Sequence, residues 1–394
     1  MEFEVYEYML NLGGTYRAID PKQTLAKIEP LLWKKFGITR IANITHLDHV
    51  GIPTYLAIRP QAKLLTTAQG KGINDDLAKI SAMMESIEGW HCETMEEPAL
   101  FGAYHTLKHD YPLCDLHPSM NHGPFEWVDI ETLEIPWAKG TELITGKTIY
   151  FPYTMINVNT AFYRPGYRYF PPRTNGLASG NTIEEAICHA LYEIIERETE
   201  ARNPLFMTSP QIDLTTIQSP HLVTLLEKIA QSQLALEVWP MMNDFEIPCY
   251  AAMVYDWDDV RGVGIQFGSG AHFSSVVALS RAITEAIQGR ATMISGSRDD
   301  HPPRLYRKNK QNIPYLVNAF NAGRKNQLNF TETPVSTDFK ICLQDLLQVL
   351  KQKGYQQVIL YNHTRDELDI PVVHVVVPGF RYIHGTCFAC PVST

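Results

Sequence analysis

Acidic side chains recur at three- and four-residue spacing in two stretches of this 394-residue chain. Glu85 and Glu88 form one Glu-x-x-Glu pair, Glu193 and Glu196 form another, and Glu185 lies eight positions before Glu193. Residues three and four apart share one face of a helix, so each set should form a carboxylate stripe. Such carboxylates repel one another unless a cation lies between them, and hard oxygen ligands suit Mg²⁺. The pattern predicts a magnesium site built from facing helices.

An ordinary solvent-exposed face is the alternative for each helix taken alone. Thr182 and Glu185 fit the S/T-x-x-E capping box, in which the glutamate bonds back to the start of its helix. A solvated face usually mixes charge signs, however, and no lysine lies four positions after Glu185, Glu193 or Glu196. Both interpretations stay open at this point.

Mg²⁺ often accompanies polyphosphate in proteins, so a magnesium site should have phosphate-binding residues close to it. No GxxxxGK[ST] motif occurs, and the glycine-rich segment 262–270 lacks the GxGxxG spacing, which favours a strand with a tight turn. Lys71 lies between two glycines just before a helix, where backbone N–H groups attract anions, although a surface turn explains it equally well. Arg17 and Arg197 are either surface charges or bidentate phosphate ligands.

The elements that must position these side chains form a mixed α/β pattern. Three helices share one design, with an apolar stripe opposite a polar one, and no tandem repeat of fixed period is evident. In the third of them the polar face holds Arg281, Glu285 and Gln288, with Arg290 offset around the helix. Periodicity predicts helices at about 22–36, 75–93, 182–200, 220–231, 275–294 and 340–353, and strands at 55–60, 249–257, 357–364 and 370–380.

Composition narrows the class of protein. A net charge of -9 without a Lys/Arg cluster disfavours nucleic-acid binding. No signal peptide and no run long enough to span a bilayer is evident, which predicts a cytoplasmic protein. Seven scattered cysteines suit free thiols, and the single CxxC of Cys387 and Cys390 is weak evidence for zinc.

The segments GKGINDDLAKISAMMESIEGWHCE, SGNTIEEAICHALYEIIERE and ALSRAITEAIQGR resemble the YcaO superfamily, ATP-dependent enzymes that modify peptide backbones. The flanking FGITRIANITHLDHVGIPTYLAIRP and HTRDELDIPVVHVVVPGFR fit the same family, so the resemblance covers roughly residues 15–382. It implies a YcaO-type fold in which helices carry a carboxylate-rich Mg-ATP site against β-sheets. We expect an integral N-terminal α/β segment at 1–60 and a catalytic domain at 61–394.

Residue by residue, the resemblance implies magnesium ligands and nucleotide contacts. Gly89 replaces an arginine common in the family, Ala178 replaces a serine for which Ser179 is a substitute, and His189 replaces a glutamine. Glu285 and Gln288 match a further family pattern of unknown role. The implied metal ligands are Glu85, Glu88, Glu185, Glu193 and Glu196, and the implied nucleotide contacts are Arg17, Ser81, His189, Arg197 and Arg290.

The implied reaction is phosphorylation of an amide oxygen by ATP, after which a nucleophile displaces phosphate. Azoline-forming members typically end in a PxPxP tail, whereas this sequence ends CFACPVST, which favours thioamide formation with a TfuA-like or leader-binding partner. The resemblance also implies a peptide or protein substrate and a homodimer. An azoline-forming cyclodehydratase, an ATP-dependent amide ligase and a non-catalytic scaffold of a peptide-modifying complex are the alternatives.

Overall fold

The computed structural model describes residues 8–117, 129–159, 165–166, 169–204, 206–258, 262–301, 313–321 and 327–381. The CxxC of Cys387 and Cys390 and the C-terminal tail lie outside this part of the chain. None of the helices in these ranges is long and apolar enough to cross a bilayer.

Helices and sheets alternate along the described chain, so the predicted mixed α/β class is confirmed. The α-helices are α1 (Pro21–Ile28), α2 (Asp75–Glu93), α3 (Tyr104–Leu107), α4 (Ile183–Arg202), α5 (Pro220–Gln231), α6 (Ser275–Ser295), α7 (Ile313–Asn321) and α8 (Phe339–Gln352). Five of the six predicted helices agree within two residues. The predicted helix at 22–36 ends instead at Ile28, because Pro30 has no N–H to continue the ladder, and single 3₁₀ and π turns follow.

The strands form five sheets in the described ranges, most of them antiparallel. Three sheets concern the site: β3-β4-β5, β11-β12-β13, and a six-stranded sheet that contains the run β15-β16-β9. The strands are β1 (Leu10–Asn11), β2 (Tyr16–Arg17), β3 (Arg40–Asn43), β4 (Thr54–Ile58), β5 (Thr67–Lys71), β6 (Leu100–Ala103), β7 (Glu134–Glu142), β8 (Lys147–Pro152), β9 (Leu177–Ser179), β10 (Gln211–Asp213), β11 (Ala235–Pro240), β12 (Cys249–Tyr255), β13 (Gln266–Ala271), β14 (Gln327–Asn329), β15 (Ile359–Asn362) and β16 (Val372–Val376).

One unit of structure occurs three times. A helix precedes three antiparallel strands, the last strand leads into a long helix, and that long helix packs on the middle strand and on the preceding helix. The first unit is α1-β3-β4-β5-α2 and the second is α5-β11-β12-β13-α6. The third unit joins distant parts of the chain, since α8, β15 and β16 combine with β9 and α4. The predicted boundary at residue 60 falls between β4 and β5, which pair along their whole length.

The three long helices close a ring. Helix α2 packs on β9, α4 packs on β13, and α6 packs on β5, so that each helix contacts the strand that leads into the next. Two glycines allow the tight approach of strand and helix within a unit. A Cβ at Gly70 would lie 2.1 Å from Ala78 O and Ala82 N, and a Cβ at Gly270 would lie 2.2 Å from Ala278 O.

The packing of the long helix on its sheet explains the apolar and polar stripes in the sequence of each unit. The helix surface that faces the strand carries alanine four and eight positions after the N-cap, in all three helices, and these alanines are fully buried. Small side chains bring the helix close to the sheet, and the larger apolar residues on either side fill the cores. The polar stripe of each helix is thereby turned toward the centre of the ring.

Candidate functional site

A cavity of about 660 Å³ lies where the three long helices meet. Its walls come from α2, α4 and α6, from the loops that precede α2 and α4, and from the N-terminal segment around Arg17. The ring therefore gathers side chains from the two carboxylate helices predicted from the sequence, and it adds a third helix. The volume falls within the range of small-molecule and cofactor sites.

Equivalent positions of the three helices supply most of the polar wall. Counted from each N-cap (Asn74, Thr182 and Ser274), the residue at the eleventh position is a glutamate in all three helices. The seventh position holds Ser81, His189 and Arg281, the eleventh holds Glu85, Glu193 and Glu285, and the fourteenth holds Glu88, Glu196 and Gln288. Of these nine, all but Glu196 line the cavity.

The glutamates at the eleventh position differ in what holds them. Glu85 accepts a hydrogen bond from Gln69 N at 3.1 Å, and Glu193 accepts one from Gly176 N at 3.2 Å. Glu285 instead pairs with Lys71 Nζ at 2.5 Å. Glu85 and Glu193 thus keep carboxylate oxygens free to face the cavity, whereas Glu285 is neutralised by a lysine.

Two glutamates at the fourteenth position accept a hydrogen bond from a serine on the next strand of the ring. Ser179 donates to Glu88 at 2.5 Å, and Ser269 donates to Glu196 at 2.9 Å. Ala271 N also donates to Glu196, which is 1% exposed, so strand β13 covers its carboxylate. Glu88 therefore lines the cavity, whereas Glu196 is covered by strand β13 and does not line it.

Two carboxyls of the cavity hold protons more tightly than free ones, and a third holds its proton less tightly. Burial raises the pKa of Glu88 to about 8; the Ser179 hydrogen bond opposes this shift, and nearby Glu85 and Glu193 add to it. Burial likewise raises the pKa of Glu193 to about 7, against the lowering effect of Arg197. The pKa of Glu285 is lowered, because Lys71 and Arg197 outweigh its burial. A cation that bound Glu88 and Glu193 would displace their protons.

Basic side chains border the same cavity. Arg197 donates to Glu200 at 2.9 Å, lies 3.4 Å from Glu196, and is 25% exposed. The neighbouring glutamates raise its pKa despite the burial, so its positive charge is secure. Within the described part of the chain, Arg281 Nε is buried without a hydrogen-bond partner. Lys71 and Arg298 complete a cationic set that fits a polyphosphate beside the carboxylates.

Arg17 reaches the cavity from the N-terminal segment. Its Nη1 lies 2.7 Å from His189 Nε2, and its Nε lies 3.6 Å from Glu185. An arginine can only donate, so His189 accepts through Nε2 and is neutral; burial and then Arg17 lower the pKa of this imidazole well below its usual value. Glu185 also accepts from Ala18 N at 3.0 Å and from Asn181 N at 3.2 Å, so its carboxylate holds Arg17 and two loops in place.

Arg290 lies away from the cavity. Its guanidinium donates to Asp48 through Nε at 2.8 Å and Nη2 at 3.2 Å, and both side chains are buried. This pair joins α6 to the loop that precedes β4. The offset of Arg290 from the polar stripe turns it outward from the ring, and we therefore do not include it among the proposed nucleotide contacts.

Sequence reasoning missed Arg281 and Arg298 as site residues, left the Lys71 segment open between an anion contact and a surface turn, and gave Glu285 no role. No local sequence pattern marks Arg298. A signal for Arg281 and Glu285 was present: the three helices share the same spacing from N-cap to glutamate, with alanines at the fourth and eighth positions. Comparing the helices from their N-caps, rather than searching for a fixed period, would have aligned them.

Known proteins resemble this chain over nearly its whole length. The sequence model of the YcaO family, described as YcaO cyclodehydratase, ATP- and Mg²⁺-binding, matches residues 69–381. An uncharacterised protein in the tfuA 3′ region of Rhizobium leguminosarum bv. trifolii is 30% identical over 93% of this chain and 88% of its own length. An uncharacterised protein of Methanothermobacter thermautotrophicus is 30% identical over 93% of this chain and 95% of its own.

Solved structures share the fold. A YcaO protein from Methanopyrus kandleri, bound with AMPPCP and Mg²⁺, superposes with a TM-score of 0.74 at 22% identity and covers 95% of this chain and 94% of its own. A heterocyclase in complex with substrate and cofactor has the same TM-score and identity over 93% of this chain and 53% of its own.

Proposed function

The chain belongs to the YcaO family, as its motifs predicted, and is an ATP- and Mg²⁺-dependent enzyme that modifies peptide backbones; from this premise we propose that its product is a thioamide. The observation that carries the nucleotide part of the proposal is the cavity in which three helices place carboxylates beside arginines. The thioamide part is supported by the relative in the tfuA 3′ region.

We propose that Glu85, Glu88 and Glu193 hold Mg²⁺, because all three line the cavity and carboxylate oxygens are the ligands that Mg²⁺ prefers. Arg17, Arg197 and Arg281 would neutralise the phosphates through bidentate or single hydrogen bonds. Lys71 and Arg298 lie in the same cavity and would add positive charge. Ser81 and His189 would contact the nucleotide. Glu185 would orient Arg17, and Glu196 would orient Arg197.

When bound, Mg-ATP supplies the phosphoryl group that turns a poorly leaving amide oxygen into phosphate, so that a sulfur nucleophile can replace it at the carbon. The protein's own contribution is positional and electrostatic. The ring fixes its carboxylates and arginines on rigid helices, which reduces the reorganisation that charge movement would otherwise require. The neutral imidazole of His189 accepts from Arg17 and thereby fixes the direction of that guanidinium.

A peptide or protein substrate, a TfuA-like partner protein and a homodimeric state complete the proposal. The test incubates the purified chain with ATP, Mg²⁺, sulfide and a candidate substrate peptide or protein, with and without a TfuA-like protein. Mass spectrometry should show exchange of one oxygen for sulfur, and a backbone amide labelled with heavy oxygen should pass its label to phosphate. The matched control is Glu193→Gln, which should give no product.

Two results would overturn parts of the proposal. Loss of one water from the substrate would identify azoline formation, the reaction named in the family description. Sulfur incorporation with the label released to water rather than to phosphate would exclude phosphorylation of the amide oxygen. Light scattering of the purified protein decides the oligomeric state.

A further inference from the structure

A second cluster of metal-ligating side chains lies outside the nucleotide cavity. Cys92, His363 and His374 are buried, and one ligand atom of each lies within 4.8 Å of the other two. Cys92 belongs to the last turn of α2, His363 directly follows β15, and His374 is in β16. Three separate elements thus bring a thiol and two imidazoles to one point in the protein interior.

The spacing fits a tetrahedral ion. Cys92 Sγ lies 3.5 Å from His363 Nε2. With zinc–sulfur and zinc–nitrogen bonds of about 2.3 Å and 2.1 Å, two ligand atoms on a tetrahedral ion lie about 3.6 Å apart. This pair already has the separation that a shared ion requires.

The third member has a free nitrogen. His374 Nε2 lies 3.1 Å from the backbone oxygen of Asn175, so Nε2 carries the proton and Nδ1 carries the lone pair. Nδ1 is buried, has no hydrogen-bond partner among the residues that the structure describes, and belongs to a side chain that is 1% exposed. A metal-ligating histidine typically donates its other ring N–H to a backbone carbonyl or carboxylate, which is the arrangement seen here.

The strand register holds the two histidines together. His374 pairs with Tyr361 across β15 and β16, and His363 N donates to Val372 O at 2.9 Å. The rings of His363 and His374 lie 6.0 Å apart between their centres. Such a framework positions both imidazoles before any ion arrives.

The charge states also suit a metal. Burial lowers the pKa of His374 to about 4 and lowers that of His363 well below its usual value, so both rings are neutral and can coordinate. Burial raises the pKa of the Cys92 thiol, which makes a free thiolate unfavourable there, and coordination would deprotonate it.

We propose that Cys92, His363 and His374 form a buried site for a thiophilic transition-metal ion, with zinc as the expected occupant. Thiolate and imidazole donors favour zinc, copper and iron over magnesium, which separates this site chemically from the carboxylate cavity. Three protein ligands leave a fourth position open. The ion would tie the end of α2 to the β15-β16 hairpin, and β16 pairs with Leu177, which lines the nucleotide cavity.

The test measures metal content in a Cys387→Ser, Cys390→Ser background, which removes the C-terminal CxxC as a competing zinc ligand. We expect about one zinc ion per purified chain in this background. Adding Cys92→Ser or His374→Gln should remove most of it. Cys114→Ser is the matched control, because that thiol is also buried but lies among apolar side chains.

Folding failure of a variant does not end the test. The background protein produced in cobalt-supplemented medium should show the near-ultraviolet absorption of a cobalt–thiolate bond, with no ligand variant needed. Stoichiometric copper or iron in place of zinc would still support the site. The proposal is overturned if the background protein carries no stoichiometric transition metal and shows no cobalt–thiolate band, or if metal content is unchanged in Cys92→Ser.

Discussion

Helices α4 and α6 are built to one plan but present different side chains at equivalent positions of the same cavity. At the seventh position from the N-cap, α4 has His189 and α6 has Arg281. At the eleventh, Glu193 lines the cavity with a carboxyl of raised pKa, whereas Glu285 is paired with Lys71 at 2.5 Å. A change of side chains at two equivalent positions thus gives α4 a proposed metal ligand beside Arg197 and gives α6 a neutralised glutamate beside a proposed phosphate ligand.

Neutralising the glutamates at the eleventh position one at a time tests this division of roles. Glu193→Gln and Glu85→Gln should reduce ATP consumption by about 10³-fold, because each removes a proposed metal ligand from a site with few alternatives. Glu285→Gln should cost far less, about 10-fold, since Lys71 loses only its partner. Steady-state kinetics at saturating Mg²⁺ measures the three rates. Equal losses in all three variants would refute the division of roles between the helices.

The fourteenth position offers a second test. Glu88→Gln should lower the turnover rate by about 10²-fold, because its carboxylate faces the cavity. Glu196→Gln should mainly weaken ATP binding through a misplaced Arg197, and it should lower the melting temperature, since Glu196 is buried under β13. Isothermal titration with Mg-ATP and thermal unfolding separate the two effects. A larger loss of turnover in Glu196→Gln than in Glu88→Gln would contradict the assignment.

Two arginines of α6 should differ in their effects, because Arg281 lines the cavity and Arg290 does not. Arg281→Met should raise the KM for ATP by about 10-fold, because a proposed phosphate donor is lost. Arg290→Met should leave the KM of the folded enzyme unchanged and destabilise the protein by about 3–5 kcal/mol, because the buried Asp48 carboxylate loses its arginine partner. Chemical denaturation and ATP kinetics are the measurements. A raised KM in Arg290→Met without loss of stability would place this arginine back in the site.

The last test concerns pH. Glu88 and Glu193, with pKa values of about 8 and 7, must lose protons to bind Mg²⁺, so affinity should rise by up to about 100-fold per pH unit near pH 6, where both are protonated, and more gently toward pH 8. Without Mg²⁺ the folded state holds protons that the unfolded state releases above about pH 4.3, so stability should fall as pH rises above that value and level off above about pH 8. Calorimetry in both conditions tests the sign. Affinity that falls with rising pH would contradict it.

The sequence predicted the helices of the site well because amphipathic periodicity is a local property. The helix at 75–93 has the predicted bounds, and its carboxylates share one face as expected. The sequence did not distinguish Glu193 from Glu196, because both lie on the same stripe. Only the packing of α4 on β13 covers one and leaves the other at the cavity.

The remaining differences also come from contacts between distant segments. Glu285 is neutralised by Lys71, two hundred and fourteen positions away, and Arg290 is paired with Asp48, two hundred and forty-two positions away. Neither partner can be inferred from spacing along the chain. Even the third unit is hidden in the sequence, because its strands come from two separate stretches.

The divided third unit has a consequence for the order of folding. Strand β9 pairs with β16, where Leu177 faces His374, so α4 lacks its middle strand until nearly the whole described chain has been made. Closing so long a loop is slow and favours a partly ordered intermediate during synthesis. The first and second units have their strands and helices in continuous stretches and can form early. ATP binding should therefore be among the last properties that a nascent chain acquires.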